Sequence, residues 1–191
     1  MQLICVKGRL GTVTNVPSRL LVIDASVACS CGDNEAVHPR AKQCRDFLIA
    51  TLRICHKVVI TPASWAEWKK HQSGFASRWR VSMTARKKVI RVTTEERTDA
   101  QKQVQLSCHG KRLAKAMKDC HLLDAALATE LSVISLDEEV REIYRSLCED
   151  AKILRKIVWV NPTLESEAPV DWLKQGAQSD AHRQLGYKAD S

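Results

Sequence analysis

Four acidic residues occupy positions from which a parallel α/β sheet would gather them at one edge: Asp24, Glu67, Asp119 and Asp137. Asp24 and Asp137 each end a short apolar run typical of a buried strand, and Glu67 lies in the helix expected after a third run, residues 57–60. Open α/β sheets bind ligands at the carboxyl ends of their strands. Carboxylates that converge there with no lysine between them need a cation, and the hard cations Mg²⁺ and Mn²⁺ prefer oxygen ligands. The sequence therefore predicts a metal-dependent phosphoryl-transfer site.

Each acid also has a simpler structural interpretation. Asp119 and Asp137 fit the N-caps of helices expected at 121–131 and 138–147, a position that favours Asp. Glu67 alone is an ordinary helix residue, and a carboxylate after a strand often binds loop amides. The joint placement of the four at one edge favours a functional interpretation over these separate ones.

Three further residues lie close to these acids in the sequence. Ser26 follows Asp24 by two residues, so its hydroxyl would help to orient the metal shell or a phosphate. Asp124 is an extra candidate acid, although five residues after Asp119 correspond to about 140° around a helix, so we do not expect a shared face. His71 shares a helix face with Glu67, and a surface histidine is the simpler interpretation.

A strongly basic segment follows Glu67 directly. Residues 69–91 contain no Asp or Glu, and Trp65, Trp68, Phe75 and Trp79 border or interleave with their cations. Cations mixed with aromatic rings suit a single-stranded nucleic acid with stacked bases. The alternative is a solvated basic face whose tryptophans point into the core. The basic residues of the segment are Lys69, Lys70, Arg78, Arg80, Arg86, Lys87, Lys88 and Arg91.

Length and charge indicate what kind of protein carries these sites. The chain has 191 residues with 30 Lys and Arg against 22 Asp and Glu, a formal net charge of +8 that would attract a polyanion. Strand-like runs alternate with helical patterns, which predicts a single-domain α/β fold with a Rossmann-like parallel sheet flanked by helices. We expect an N-terminal extension at 1–18, the α/β domain at 19–162 and a C-terminal tail at 163–191.

Targeting and redox signals indicate a soluble cytoplasmic protein. The N-terminus has no apolar stretch of signal-peptide length, and no segment approaches the roughly 20 apolar residues of a membrane helix. The eight cysteines are interpreted as buried free thiols in a reducing compartment.

Taken in order, four short motifs resemble the PIN-domain family over roughly residues 20–160. Each motif is short, and the specificity comes from their order and spacing. They are Val22-Ile-Asp-Ala-Ser26, Thr61-Pro-Ala-Ser-Trp-Ala-Glu67, Asp119-Cys-His-Leu-Leu-Asp-Ala-Ala-Leu-Ala128 and Val133-Ile-Ser-Leu-Asp137.

The resemblance implies a Mg²⁺- or Mn²⁺-dependent endoribonuclease that cleaves single-stranded RNA with a metal-activated water. The family's acidic positions would fall on the four acids above, with Ser26 and Ser135 as supporting polar residues. Many members are VapC-like toxins, which implies an antitoxin partner and a homodimer. This chain departs from the compact toxin pattern through its N-terminal extension, its C-terminal tail and a long insertion between Glu67 and Asp119.

Two other functions remain open at this stage. A catalytically inert PIN-like module would use the basic segment to bind RNA or protein, and the presence of all four acids weighs against it. A receiver-like signalling domain would need an acidic pair after the first strand and a lysine after a late strand, and the sequence offers neither clearly.

Overall fold

The computed structural model describes residues 16–33, 37–93 and 98–188, in which short strands alternate with helices. The strands are β1 (Leu20–Ile23), β2 (Lys57–Ile60), β3 (Val89–Arg91), β4 (Ser132–Ile134) and β5 (Val158–Val160). The helices are α1 (Ala25–Ser30), α2 (Pro39–Ile54), α3 (Pro62–His71), α4 (Gly74–Ala85), α5 (Asp99–Ser107), α6 (Gly110–Leu127), α7 (Glu138–Leu147) and α8 (Pro169–Lys174). Short 3₁₀ turns lie at Lys152–Leu154, Glu165–Glu167 and Ala181–Arg183.

The five described strands form one parallel sheet in the order β3-β2-β1-β4-β5. The chain moves outward from β1 to β3 and then returns to place β4 on the other side of β1. This reversal leaves a crevice at the carboxyl ends of β1 and β4, the usual ligand position in such sheets. The predicted α/β fold class, with a Rossmann-like parallel sheet flanked by helices, is confirmed.

Alternating strand residues supply the two cores, one on each face of the sheet. Leu21 and Ile23 pack with the buried aromatic side chains of α2, α3, α4 and α8. Val22 packs on the opposite face with the apolar residues of α5, α6 and α7. Strands β1, β2, β4 and β5 are therefore buried on both faces, which explains their largely apolar sequences, whereas the edge strand β3 is only partly buried.

Helix α3 begins where the sequence predicts. Thr61 is the N-cap, Pro62 occupies the first helical turn, and the Thr61 hydroxyl accepts a hydrogen bond from the Ser64 backbone N–H at 3.1 Å. The Ser64 hydroxyl in turn accepts from the Thr61 backbone N–H at 2.9 Å, which completes a reciprocal cap. Both residues are buried, so the entry into this helix is firmly held.

Helix α6 corrects the predicted break near Asp119. One continuous helix spans Gly110–Leu127, and Asp119 lies in its interior rather than at an N-cap. Ala116, Cys120 and Leu123 continue one buried stripe through the expected break at helical spacing. Burial of this stripe outweighs the preference of Asp for a cap.

The segment predicted as a C-terminal tail packs against the domain as far as residue 188. Trp172 and Leu173 of α8 are buried in the core. The ring of His56 joins this helix to the start of β1, because its Nδ1 accepts from the Arg19 N–H at 3.0 Å and its Nε2 lies 3.0 Å from the Leu173 carbonyl. The predicted N-terminal extension lies outside the described residues except for residues 16–18.

The described cysteines are free thiols. Among the described helices, none combines the length and the apolar character needed to cross a membrane.

Candidate active site

The four acids line one cavity of about 590 Å³. Each comes from a different element: Asp24 follows β1, Glu67 belongs to α3, Asp119 to α6, and Asp137 follows β4. The cavity therefore lies at the carboxyl ends of β1 and β4, where the strand order reverses. Its other lining residues are Ala25, Ser26, Cys29, Ala66, Lys70, His71 and Lys118.

Asp24 is fixed by two serines. Its backbone N–H donates to the Ile134 carbonyl at 2.9 Å, which extends the pairing of β1 with β4 by one residue. Its Oδ2 accepts hydrogen bonds from the Ser26 hydroxyl and, at 2.8 Å, from the Ser135 hydroxyl. Its Oδ1 has no hydrogen-bond partner among the described residues, so one oxygen is oriented and the other is free to bind a ligand.

The same serines connect Asp24 to the turn that carries Asp137. The Ser26 hydroxyl accepts from the Leu136 N–H at 3.2 Å, and the Ser135 hydroxyl accepts from the Asp137 N–H at 3.2 Å. These bonds hold the loops after β1 and β4 in one arrangement. Ser26 and Ser135 thus join Asp24 to the turn that carries Asp137, and their supporting role in a metal site stays a prediction.

Asp137 is partly engaged by its own structure. Its Oδ1 caps α7 by accepting from the Val140 N–H at 2.9 Å, as the sequence predicts. The Lys115 ammonium lies 3.5 Å from the same oxygen and also binds Glu139. The expectation of acids with no lysine among them is therefore wrong, since the packing of α6 on α7 brings in this lysine and Lys118 lines the cavity.

Glu67 is positioned through the neighbouring tryptophan. The Trp68 indole N–H donates to the Ile23 carbonyl at 3.0 Å, which anchors α3 beside the end of β1. Glu67 then lies with its Oε2 3.7 Å from the Nε2 of His121. That distance is too long for a hydrogen bond.

His121 of α6 is a site residue that the sequence reasoning missed. Its Nδ1 contacts the Lys118 carbonyl at 3.2 Å, whereas its buried Nε2 has no hydrogen-bond partner within the described ranges. Its spacing from Asp119 gives no signal, because two residues correspond to about 200° around a helix, and it is the packing of α6 against α3 that brings its ring near Glu67.

Asp119 carries the clearest electrostatic signature of the cavity. Burial and the nearby Asp24 and Asp137 carboxylates raise its pKa to about 6, while Lys118 and His121 act in the opposite direction. No hydrogen bond to its side chain is found in the part of the chain that the structure describes. A carboxyl with this environment is stabilised in its charged form by an added cation.

Asp124 lies outside the cavity. Its buried carboxylate accepts from the Thr98 hydroxyl at 2.5 Å and from the Gln101 side-chain amide at 2.7 Å. It therefore fastens α5 to α6, and the extra acid suggested from sequence is a structural residue. The physical reason is the rotation of about 140° between the two aspartates on one continuous helix.

The cavity offers the right kind of donors for a hard cation. Four carboxylates, among them Asp24 with an unengaged oxygen and Asp119 with a raised pKa, supply the oxygen ligands that Mg²⁺ and Mn²⁺ prefer. Among the described residues, however, no three His, Cys, Asp or Glu side chains converge closely enough to hold a metal ion. The donor set fits the cation in chemistry, and binding would require side-chain movements.

The basic segment is divided between the two edges of the sheet. Lys69 and Lys70 lie on α3 and Arg91 ends β3, all at the carboxyl edge that holds the cavity. Arg86 and Lys87 follow α4 at the opposite edge, just before β3 begins. Two residues of the segment, Arg78 and Arg80, lie within α4.

Lys88 does not belong to the predicted nucleic-acid surface, so that part of the prediction is wrong. Its side chain is buried, and its ammonium donates to the Leu52 carbonyl at 2.8 Å. Trp68 and Trp79 are likewise in the core, stacked with ring centroids 5.9 Å apart. The alternative of inward-pointing tryptophans therefore applies to these two rings.

Comparisons with known proteins do not assign the chain to a family. No protein-family model matches it. No curated protein and no solved structure matches it either.

Proposed function

We propose that the chain is a divalent-cation-dependent nuclease of the PIN-like kind that cleaves phosphodiester bonds in single-stranded RNA. The observation that carries this proposal is the gathering of Asp24, Glu67, Asp119 and Asp137 around one cavity at the switch point of the sheet. A structural role for each acid would not require four elements to deliver them to the same place.

Unbalanced charge inside the cavity supports the metal requirement. The pKa of Asp119 is raised by burial and by two other acids of the cavity, so the site resists holding all its charges without a counterion. Asp24, Glu67, Asp119 and Asp137 would hold Mg²⁺ or Mn²⁺. The cation would supply Lewis-acid stabilisation of charge at the phosphate and make a water more acidic.

The chain's own residues would prepare the site for that chemistry. Ser26 and Ser135 orient Asp24 so that one carboxylate oxygen stays free. Lys70, His71 and Lys118 line the same cavity and would attract the phosphate groups of the substrate. The net charge of +8 favours a polyanionic substrate in the same way.

A catalytically inert binding module is the second candidate. It is favoured by the engagement of Asp137 with Val140 and Lys115, and by the lack of a converged ligand set among the described residues. The antitoxin partner and the homodimer remain predictions from the family resemblance.

The two candidates differ in a cleavage assay on labelled single-stranded RNA. The wild-type protein should cleave with Mg²⁺ or Mn²⁺ and stop when a chelator is added. Asp24→Asn should lose cleavage, by at least about a hundredfold, because it removes a ligand charge without changing shape. Asp171→Asn, at an exposed position of α8, is the matched control and should cleave like wild type.

Equal cleavage by wild type and Asp24→Asn would identify a contaminating nuclease and overturn the proposal. A Mn²⁺ titration by calorimetry gives a second readout independent of cleavage, and Asp24→Asn should bind Mn²⁺ more weakly than Asp171→Asn. RNA binding without cleavage and without Mn²⁺ binding would favour the inert module.

A further inference from the structure

Two arginines contact a single tryptophan on the flank of α3 that faces away from the cavity. The guanidinium carbon of Arg80 lies 4.5 Å from the ring centroid of Trp65, and that of Arg91 lies 5.5 Å from it. We name these three residues the Trp65 cluster. Trp65 and Arg80 are partly exposed and Arg91 is exposed, so solvent reaches all three.

The charges of the Trp65 cluster are not neutralised within the described part of the chain. The Nε of Arg80 donates to the neutral Gln72 side chain at 3.0 Å, and neither arginine forms an ion pair with a described carboxylate. Two like charges on one ring repel each other. A planar guanidinium is well suited to bind phosphate through two hydrogen bonds.

The geometry of α3 connects this cluster to the acids. Trp65 and Glu67 are two residues apart, about 200° around the helix, so they lie on opposite flanks. Ser64 and Trp68 form the buried face. The outer face between the two flanks is exposed and consists of Ala63, Ala66, Lys69 and Lys70.

The outer face of α3 combines small side chains with positive charge. Ala63 and Ala66 present only methyl groups, and Ala66 also lines the acidic cavity. Lys69 and Lys70 lie one turn further along the helix. A helix is about 10 Å across with its side chains, so a strand that crosses α3 reaches the Trp65 cluster within a few nucleotides of the cavity.

We propose that single-stranded RNA crosses the outer face of α3 over Ala66 and is held on the far side by the Trp65 cluster. This inference rests on the proposed function, because the nuclease site defines where the strand must pass. The arginines bind the phosphates of nucleotides beside the cleavage point, and the Trp65 ring holds the two guanidiniums in place. The cluster therefore determines on which side of the cleaved phosphodiester bond the RNA makes its additional contacts with the protein.

The test compares two variants that each lose two positive charges. Arg80→Gln with Arg91→Gln removes the charges of the cluster, and Arg86→Gln with Lys87→Gln removes two exposed charges at the opposite edge of the sheet. Both are made in the Asp24→Asn background, so binding of a labelled single-stranded RNA is measured without cleavage. Fluorescence anisotropy at several salt concentrations gives the affinity and its salt dependence.

The cluster variant should bind RNA at least about tenfold more weakly than the opposite-edge variant. The reason is that removing a charge weakens binding strongly only where that charge contacts the RNA. Its salt slope should fall by roughly 0.7 for each lost phosphate contact. Equal affinities and slopes for the two variants would overturn the proposal. The same result would follow if the cluster serves an acidic protein segment instead.

A second pair of variants tests the path itself and remains useful if the arginine variant folds poorly. Ala66→Glu places a negative charge on the path, and Ala85→Glu places one at the exposed end of α4 on the opposite edge. Only Ala66→Glu should weaken RNA binding. In the active protein, the arginine variant should cleave long RNA more slowly than wild type but should cleave a dinucleotide at the wild-type rate. If the nuclease proposal is wrong, the wild-type protein should cleave neither substrate.

Discussion

The acidic cavity and the junction between α5 and α6 each contain an aspartate of helix α6. The two aspartates differ in whether their carboxylates accept hydrogen bonds. At the junction, both carboxylate oxygens of Asp124 accept hydrogen bonds from side chains of the preceding segment. In the cavity, Asp119 has no such donor among the described residues and faces two other acids. Buried polar groups that serve the fold are satisfied. A group left unsatisfied beside like charges indicates a binding site.

A second contrast between the two edges of the sheet supports this distinction. At the amino edge, both ring nitrogens of buried His56 contact backbone groups, and the Lys88 ammonium binds a carbonyl. At the carboxyl edge, the buried Nε2 of His121 has no hydrogen-bond partner within the described ranges. Other buried nitrogens without a partner in the described part of the chain do not line the cavity, namely Arg141 Nε, Arg145 Nε, Trp159 Nε1 and Arg183 Nη1, so the contrast with His56 and Lys88 applies to His121 alone.

Replacement of Asp124 should give the largest change in stability. Asp124→Ala removes two hydrogen bonds to a buried charge and leaves their donors unmatched, so the free energy of unfolding should fall by about 3 kcal/mol. Urea unfolding followed by circular dichroism measures this. Asp99→Ala, an exposed aspartate of α5, is the control and should change stability far less. A loss no larger than that of the control would show that the junction does not depend on this carboxylate.

Replacement of Asp119 should have the opposite sign and a smaller size. The pKa of this carboxyl is raised from 3.8 to about 6 in the folded protein, so its ionisation above that range opposes folding. In chelator at pH 7, Asp119→Asn should be more stable than wild type by about 1 kcal/mol, a value reduced for the partial exposure of the site.

The pH dependence of this difference sharpens the comparison. Near pH 3 the carboxyl is protonated in both the folded and the unfolded chain and contributes nothing. As the pH rises from 3.8 to about 6, the unfolded chain ionises first, so wild type loses stability relative to Asp119→Asn. Thermal unfolding at pH 3, 5 and 7 measures the gap. A variant less stable than wild type at pH 7 would place Asp119 with Asp124 as a structural residue.

The sheet and the start of α3 could be predicted because their signals are local. The run at Leu20–Ile23 is buried on both faces, and Thr61 with Pro62 gives the pattern of a helix start. Asp137 was also recognisable as an N-cap because its helix follows directly. In each case neighbouring residues determine the structure.

The remaining features depend on contacts between distant parts of the chain. Asp119 looks like a cap in sequence, and the packing of α6 against the sheet, α5 and α7 makes the helix continuous through it. The burial of Lys88 depends on a carbonyl at the end of α2, and the approach of Lys115 to Asp137 depends on how α6 meets α7. No local pattern reveals such pairs.

The most direct test of the central claim is a crystal of the wild-type protein soaked in Mn²⁺, with anomalous scattering used to locate the ion. We expect an anomalous peak among Asp24, Glu67, Asp119 and Asp137, with the free Oδ1 of Asp24 as a ligand, and no peak in Asp24→Asn crystals soaked in the same way. A fully occupied peak elsewhere, or none in wild type at saturating Mn²⁺, would contradict a cation-dependent site in this cavity.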